Sequence, residues 1–361
     1  MTGRHEAWRR ELDRPTARGV RDWGEGARLE GEQAAVPGAG ATFPVVLGCV
    51  RSGTTMLRAL LDSHPDLAVP PEAYFVVPAL EQRARYESGR GLDRDRLLAD
   101  VAADRSFPDW RLGPDALAEV RATPMTTVPE ALLALYGAYA HQHGKPRAGD
   151  KTPSHLLHVG LLADALPDAR FVHIVRDGRD VVPSILGMDF GPDRFATAVL
   201  FWSRRVERGL TAGAALGPAR YREVRYEALV ADPEAALRDL CPFLGLEYSP
   251  EMLRYHERAD ELLDGLRDTG HVQGVRRPPT AGVRDWRTAL DPHQVQLFEA
   301  LAGDLLDRLG YARSGQPIPS RVRVEARARR VAHGLDRRTL TFRTRVARRL
   351  TGRPVPVGGA V

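Results

Sequence analysis

The chain has little cysteine, almost no lysine and no long apolar run, and each shortage excludes something. Its two cysteines, Cys49 and Cys241, fall in an expected strand and an expected helix, so neither a disulfide framework nor a cysteine metal site is expected. No apolar run approaches the roughly 18 residues that span a bilayer. Nor does an apolar segment follow the basic start, as it would in a secretory leader. A soluble cytoplasmic protein is the expectation. Of 52 basic residues, all but Lys145 and Lys151 are arginine. A lysine kept in such a chain is a candidate for work that needs a compact ammonium with three donors.

A net positive charge is also missing from most of the chain. The formal excess is +5, yet beyond residue 312 thirteen arginines face only Glu325 and Asp336. The remainder is net acidic, and no nucleic-acid partner is expected. Composition divides the chain into a polar extension over 1–42, a globular body over 43–312 and an arginine-rich tail over 313–361. The plain reading of the tail is a solvated segment; a basic amphipathic helix for an anionic membrane surface, peripheral to it, is the functional one. An acidic partner is the third.

What is present is organised around residues 43–72. An apolar run, Phe43 to Leu47, breaks at Gly48-Cys49-Val50-Arg51-Ser52-Gly53-Thr54-Thr55 and turns into a helical pattern that Pro65 stops. Strand, glycine-punctuated loop and helix present backbone N–H groups to an anion. A nucleoside-triphosphatase loop would carry lysine and a magnesium-binding hydroxyl after its second glycine. Here Thr54 stands at the lysine position and the cation is Arg51 within the loop. A phosphate or sulfate held without an obvious metal ligand is the reading; an ordinary strand-turn-helix is the bland one.

Further along, Pro70-Pro71 keeps the chain extended and delivers Glu72 to the edge of the sheet. Residues 73–143 read as a helical insertion with breaks near Gly89-Arg90-Gly91, Phe107-Pro108 and Thr123-Pro124. Within it Tyr74, Phe75 and Trp110 are core or pocket aromatics. Thr152 and Pro153 read as N-cap and first residue of a helix, with Lys151 just before it. A second buried strand, 170–175, breaks at Arg176-Asp177-Gly178-Arg179-Asp180, and Ser184 lies on the helix that follows. The strand-end arginine and that serine can close on one phosphate, although mutual neutralisation of the four charges is the plainer reading. The expected fold is α/β: a P-loop-like open parallel sheet flanked by helices, with the insertion shaping an acceptor site.

In order, the segments VRSGTT, GDKTP, VRDGRDVVPS and VRYEAL resemble a sulfotransferase that uses 3'-phosphoadenosine 5'-phosphosulfate (PAPS), over about Phe43 to Tyr311. The branch of bacterial and tyrosylprotein sulfotransferases is the most similar. The resemblance implies that Arg51, Ser52, Gly53, Thr54 and Thr55 bind the 5'-phosphosulfate. It implies that Arg176 and Ser184 bind the 3'-phosphate, and that Tyr226 meets the adenine. Glu72 then matches the catalytic base and Lys151 a lysine beside the transferring sulfate, with Arg51 sharing the catalytic role. His64, His155 and His158 stay open as bases, and Arg276, Arg277 or Arg284 as a late contact to the 3'-phosphate. PAPS is the co-substrate and no metal is required. The acceptor is a hydroxyl, less readily an amine, of a small molecule, a sugar or a lipid-linked compound. A small-molecule kinase and a non-catalytic nucleotide-binding protein are the alternatives.

Overall fold

The computed structural model describes residues 42–89, 91–188, 191–260, 273–278 and 285–334. The first apolar run forms β1 (Phe43–Gly48), buried along its length, as expected of a strand covered on both faces. It leads into α1 (Thr54–Asp62) and β2 (Leu67–Ala68). The insertion contains α2 (Val76–Glu81), a hairpin of β3 (Glu87–Ser88) and β4 (Gly91–Leu92), α3 (Arg94–Ala102), α4 (Pro114–Ala122) and α5 (Val128–Gln142). Next come β5 (Arg147–Ala148), β6 (Asp150–Lys151), a 3-10 turn over Pro153–Leu157 and α6 (Val159–Ala165). Then follow β7 (Ala169–Val175), α7 (Gly178–Leu186), α8 (Phe195–Leu216) and β8 (Tyr221–Arg225). The last elements are α9 (Tyr226–Ala231), α10 (Pro233–Phe243), α11 (Trp286–Ala289), α12 (Pro292–Arg308) and α13 (320–334).

The described residues fall into two compact units, a larger one of 42–176 and 205–278 and a smaller one of 177–204 and 285–334. The larger unit holds the central sheet, in the order β6-β1-β7-β8 with every neighbouring pair parallel. Alternation along β1 sends Val45 and Leu47 into one apolar core and Val46 into another. The expected α/β sheet flanked by helices is therefore present. β2 and β5 form a separate parallel pair, Leu67 opposite Arg147 and Ala68 opposite Ala148. At Gly149 the chain changes partners, from β2 to β1. A side chain there would meet the Pro44 carbonyl oxygen at 2.9 Å, so glycine permits the crossing.

Two local expectations differ from the structure. Lys151 lies in β6, not in a turn before a helix, because pairing with β1 (Val46 opposite Lys151) extends a stretch too short and too polar to show strand periodicity. The helix expected from Pro153 onward is a 3-10 turn and α6, separated at His158, and the Thr152 side chain caps neither.

In the smaller unit, Trp286, Leu290 and Val295 form an apolar core against Phe195. Buried Arg179 fixes the start of α7: it pairs with Asp177 at 2.7 Å and Glu299 at 3.2 Å, and lies 4.0 Å over the Trp286 ring. Part of the charge run does neutralise itself, as the plainer reading had it.

The central strand β7 carries a buried histidine. His173 Nδ1 lies 2.5 Å from the Tyr221 hydroxyl, and burial pushes its pKa from 6.5 down to about 3. It is neutral in the folded chain but takes up a proton on unfolding below its ordinary pKa. Stability is therefore expected to fall as pH drops from 6.5 toward 3, with this residue contributing up to about 1.4 kcal/mol per pH unit. Denaturant titrations across that range should show a shallower acid limb for His173→Gln; an identical slope would remove the assignment.

Candidate active site

The loop after β1 adopts two left-handed backbone conformations, Arg51 at φ 71° and Gly53 at φ 98°. For arginine this region costs about 1 kcal/mol or more, a strain that packing must hold. Gly53 is the N-cap of α1 and offers no side-chain cap, and the first turn has no acidic residue. The free N–H groups of that turn thus point to where an anion would sit. Glycine is required here twice over, by φ and by contact: a Cβ would lie 2.4 Å from the Tyr226 ring.

Tyr226 joins the loop to the end of β7. Its ring stacks under the Arg176 guanidinium, 4.1 Å from its centroid. Two buried polar atoms in this cluster, Ser52 Oγ and Arg176 Nε, have no hydrogen-bond partner among the described residues. Buried donors without partners are rare and call for an explanation. The structure therefore brings together Arg51, Ser52, Gly53, Thr54, Thr55, Tyr226 and Arg176. Ser184 is buried on α7 of the smaller unit.

A second group lies at β6. Buried Lys151 donates to Glu72 Oε1 at 2.7 Å, and Glu72 keeps a quarter of its side chain exposed. Its supports come from α1. Arg58 donates to the carbonyls of Val69 and Pro70, at 2.8 and 3.0 Å, and Asp62 accepts the Val69 N–H at 2.7 Å. The other lysine, Lys145, donates to the carbonyls of Asp62 and Leu67, so its role is to tie down the end of α1.

Three polar contributors escaped sequence reasoning. The Tyr74 hydroxyl donates to Glu72 Oε2, and only its place two residues after Glu72 hinted at this. Phe75 and Trp110, grouped with it as core or pocket aromatics, are core residues. Arg58 and Asp62 are buried polar residues of α1, and no local signal marked them as buried.

Each candidate histidine has a partner of its own, although His155 Nε2 has none among the described residues. His64 uses both ring nitrogens, against the Glu247 carbonyl at 2.7 Å and the Asp66 N–H at 3.0 Å. His155 is buried with Nδ1 on Asp150, and His158 faces Glu81 at 3.7 Å. Of the late arginines, Arg276 pairs with Asp260 and Arg277 is exposed, while Arg284 lies outside the described residues.

The sequence model described as "Sulfotransferase family" matches residues 45–250, more than half of the chain. The chain belongs to the sulfotransferase family. This sulfotransferase is 26% identical over 280 residues to protein-tyrosine sulfotransferase 1 of Danio rerio, covering 75% of this chain and 72% of that one. It is 28% identical over 193 residues to the omega-hydroxy-beta-dihydromenaquinone-9 sulfotransferase Stf3 of Mycobacterium bovis, covering 48% and 43%. Among solved structures, the sulfotransferase domain of the Synechococcus PCC 7002 olefin synthase shares the fold, with a TM-score of 0.52 and 24% identity over 75% of this chain and 94% of that one. The protein is accordingly a PAPS-dependent enzyme of sulfuryl transfer, and the kinase reading is not favoured.

Proposed function

We propose that the sulfotransferase moves the sulfuryl group of PAPS to a hydroxyl of a small-molecule, sugar or lipid-linked acceptor, with Glu72 as general base. The Arg51–Thr55 loop holds the 5'-phosphosulfate with its amides, hydroxyls and guanidinium. Arg176 meets the 3'-phosphate, and Tyr226 offers its ring to the adenine. Ser184 carries its 3'-phosphate assignment on the resemblance alone. The observation that carries this reading is the pair of buried, unpartnered donors, Ser52 Oγ and Arg176 Nε. Both belong to residues that an anionic nucleotide would satisfy.

Chemically, the acceptor oxygen forms a bond to sulfur as the bond from sulfur to the phosphate oxygen breaks, and adenosine 3',5'-bisphosphate leaves. As in phosphoryl transfer, the protein's work is positioning and charge stabilisation. Glu72 takes the acceptor proton. Two of its lone pairs are engaged, by Lys151 and Tyr74, and a carboxylate has about four such sites. The Lys151 ammonium and the Arg51 guanidinium stabilise charge on the sulfuryl and bridging oxygens. The names of the two relatives point to a protein tyrosine and an ω-hydroxyl, both hydroxyl oxygens. The insertion over 73–143, which supplies Tyr74, is the segment we assign to acceptor shape.

Calorimetric titration of adenosine 3',5'-bisphosphate tests the nucleotide site. Binding is expected for the native chain, and Arg176→Ala should weaken it about 10- to 100-fold, the worth of a charge-assisted bond. Arg176→Ala should raise the KM for PAPS far more than that for the acceptor. No heat on titration, or equal effects on both substrates, would defeat the assignment.

One surface supports an anionic membrane as a further partner. Helix α13 buries Val322 and Ala326 on one side. Exposed Val324 and Val331 stand on the other, with Arg321, Arg323 and Arg327 also exposed. No described helix is long and apolar enough to cross a bilayer. Full-length protein is expected to co-sediment with phosphatidylglycerol vesicles and not with phosphatidylcholine vesicles; equal recovery from both would end the proposal.

A further inference from the structure

We infer that Asp150 and Thr152 are positioning residues that set Glu72 against Lys151, and so fix how the base meets the transferring group, without touching either substrate. The inference rests on the sulfuryl-transfer reading above.

Glu72 and Lys151 come from segments 79 positions apart, and the bonds from α1 and Tyr74 that hold the Glu72 segment do not reach the lysine. Glu72 follows two prolines, which donate no N–H, and Lys151 lies on a two-residue strand. The link between them lies on the reverse face of β6. Adjacent side chains of a strand point to opposite sides, so with Lys151 turned to Glu72, Asp150 turns inward, where it is 2% exposed. Its Oδ1 accepts from the Tyr136 hydroxyl at 2.6 Å and the Thr152 hydroxyl at 3.1 Å. Its Oδ2 faces His155 Nδ1 at 2.9 Å, and the carboxylate can only accept there.

Thr152 completes the path. Its Oγ1 accepts the N–H of Ala73 at 2.8 Å, and Ala73 is the residue next to Glu72. The chain of contacts thus runs from the base through one peptide N–H, one hydroxyl and one carboxylate to the residue that precedes the lysine. This explains why Thr152, placed like a helix N-cap, caps nothing: its hydroxyl serves the neighbouring segment.

A carboxylate is a costly choice for a buried position. Burial pushes the Asp150 carboxyl up, but the charge and hydrogen bond of His155, with the Tyr136 and Thr152 hydroxyls, outweigh it and hold the group below its usual value. It stays an acceptor with fixed donor directions, which an apolar residue would not provide. The directional constraint falls on the two segments that carry the reacting groups, and misplacement of about 1 Å at such a centre can cost about 100-fold in rate.

The test uses the full-length chain with PAPS and tyramine as a phenolic probe, following PAPS consumption into tyramine and into water. Competent sites are counted by titration with adenosine 3',5'-bisphosphate, so a partly unfolded preparation does not pass for a slow one. Thr152→Val, which keeps shape and loses the hydroxyl, should lower kcat per competent site at least about tenfold while nucleotide affinity stays within about threefold. Thr152→Ser should restore kcat to within about threefold of the native rate. If Thr152→Val fails to fold, Asp150→Asn is read the same way and should also lower kcat without loss of nucleotide affinity. Native kcat per site in the folded variant, affinity falling in step with kcat, or Thr152→Ser as slow as Thr152→Val would each overturn the inference. A native protein that neither binds the nucleotide nor consumes PAPS would defeat the parent reading and this one with it. Active native protein with unaffected variants defeats this one alone.

Discussion

Glu72→Gln is expected to lower kcat by about 10²–10⁴, the range for loss of a general base. Affinity for adenosine 3',5'-bisphosphate should be unchanged, because Glu72 contacts Lys151 and Tyr74 and not the loop after β1. Glutamine keeps the size of the side chain and an oxygen for the Lys151 ammonium, so the substitution removes the proton acceptor more than the packing. The acceptor provides a control. A phenol already ionised at the assay pH needs no base, and with it the loss should shrink markedly. Transfer rates for two phenols of unlike acidity decide the matter. A loss of equal size for both would assign Glu72 to electrostatics or structure, and turnover within tenfold of native would place the base elsewhere.

Arg51→Gly separates strain from function. At φ 71°, arginine holds a conformation that glycine adopts freely, so the substitution relieves about 1 kcal/mol of backbone strain. The thermal midpoint is expected to hold or rise by about 1 °C. Transfer should fall by about 10²–10³, the cost of removing one preorganised donor from a developing charge. Differential scanning calorimetry beside the transfer assay reads both. A midpoint that drops along with activity would make Arg51 a structural residue, and retained activity would free the loop of its proposed catalytic cation.

The parallel sheet, the loop after β1 and the strand before Arg176 were legible in the sequence because each is written locally. Continuous apolar runs end at glycine and arginine, and helical patterns follow at once. The Glu72–Lys151 pair was only half legible. Each residue stood out, Glu72 after two prolines and Lys151 as a rare lysine, but their 2.7 Å contact depends on β6, a strand of two charged residues that no periodicity can reveal. Asp150 was invisible for a related reason. A lone aspartate in GDKTP reads as a turn residue, and only the fold brings Tyr136 and His155 to it. Tyr74 was grouped with Phe75 and Trp110, since an aromatic at the edge of an apolar segment looks the same whether its hydroxyl meets water or a carboxylate. The four charges at 176–180 divided their labour. Arg179 and Asp177 serve packing, whereas Arg176 lies over Tyr226, a division that the sequence spacing does not encode.

The parallel pairing of β2 with β5 has a consequence for how such an enzyme diversifies. The segment from 73 to 143 leaves just after one of these short strands and returns just before the other, so its two ends are anchored side by side. Exchange, lengthening or trimming between those anchor points leaves β1, its loop and β7 uninterrupted. The segment is nonetheless not independent of the sheet. Its Phe75, Trp110 and Tyr136 share one core with Val45 and Leu47 of β1 and Phe171 of β7, and its Ala73 and Tyr136 bond to Thr152 and Asp150. Any graft at these junctions therefore has to keep those contacts.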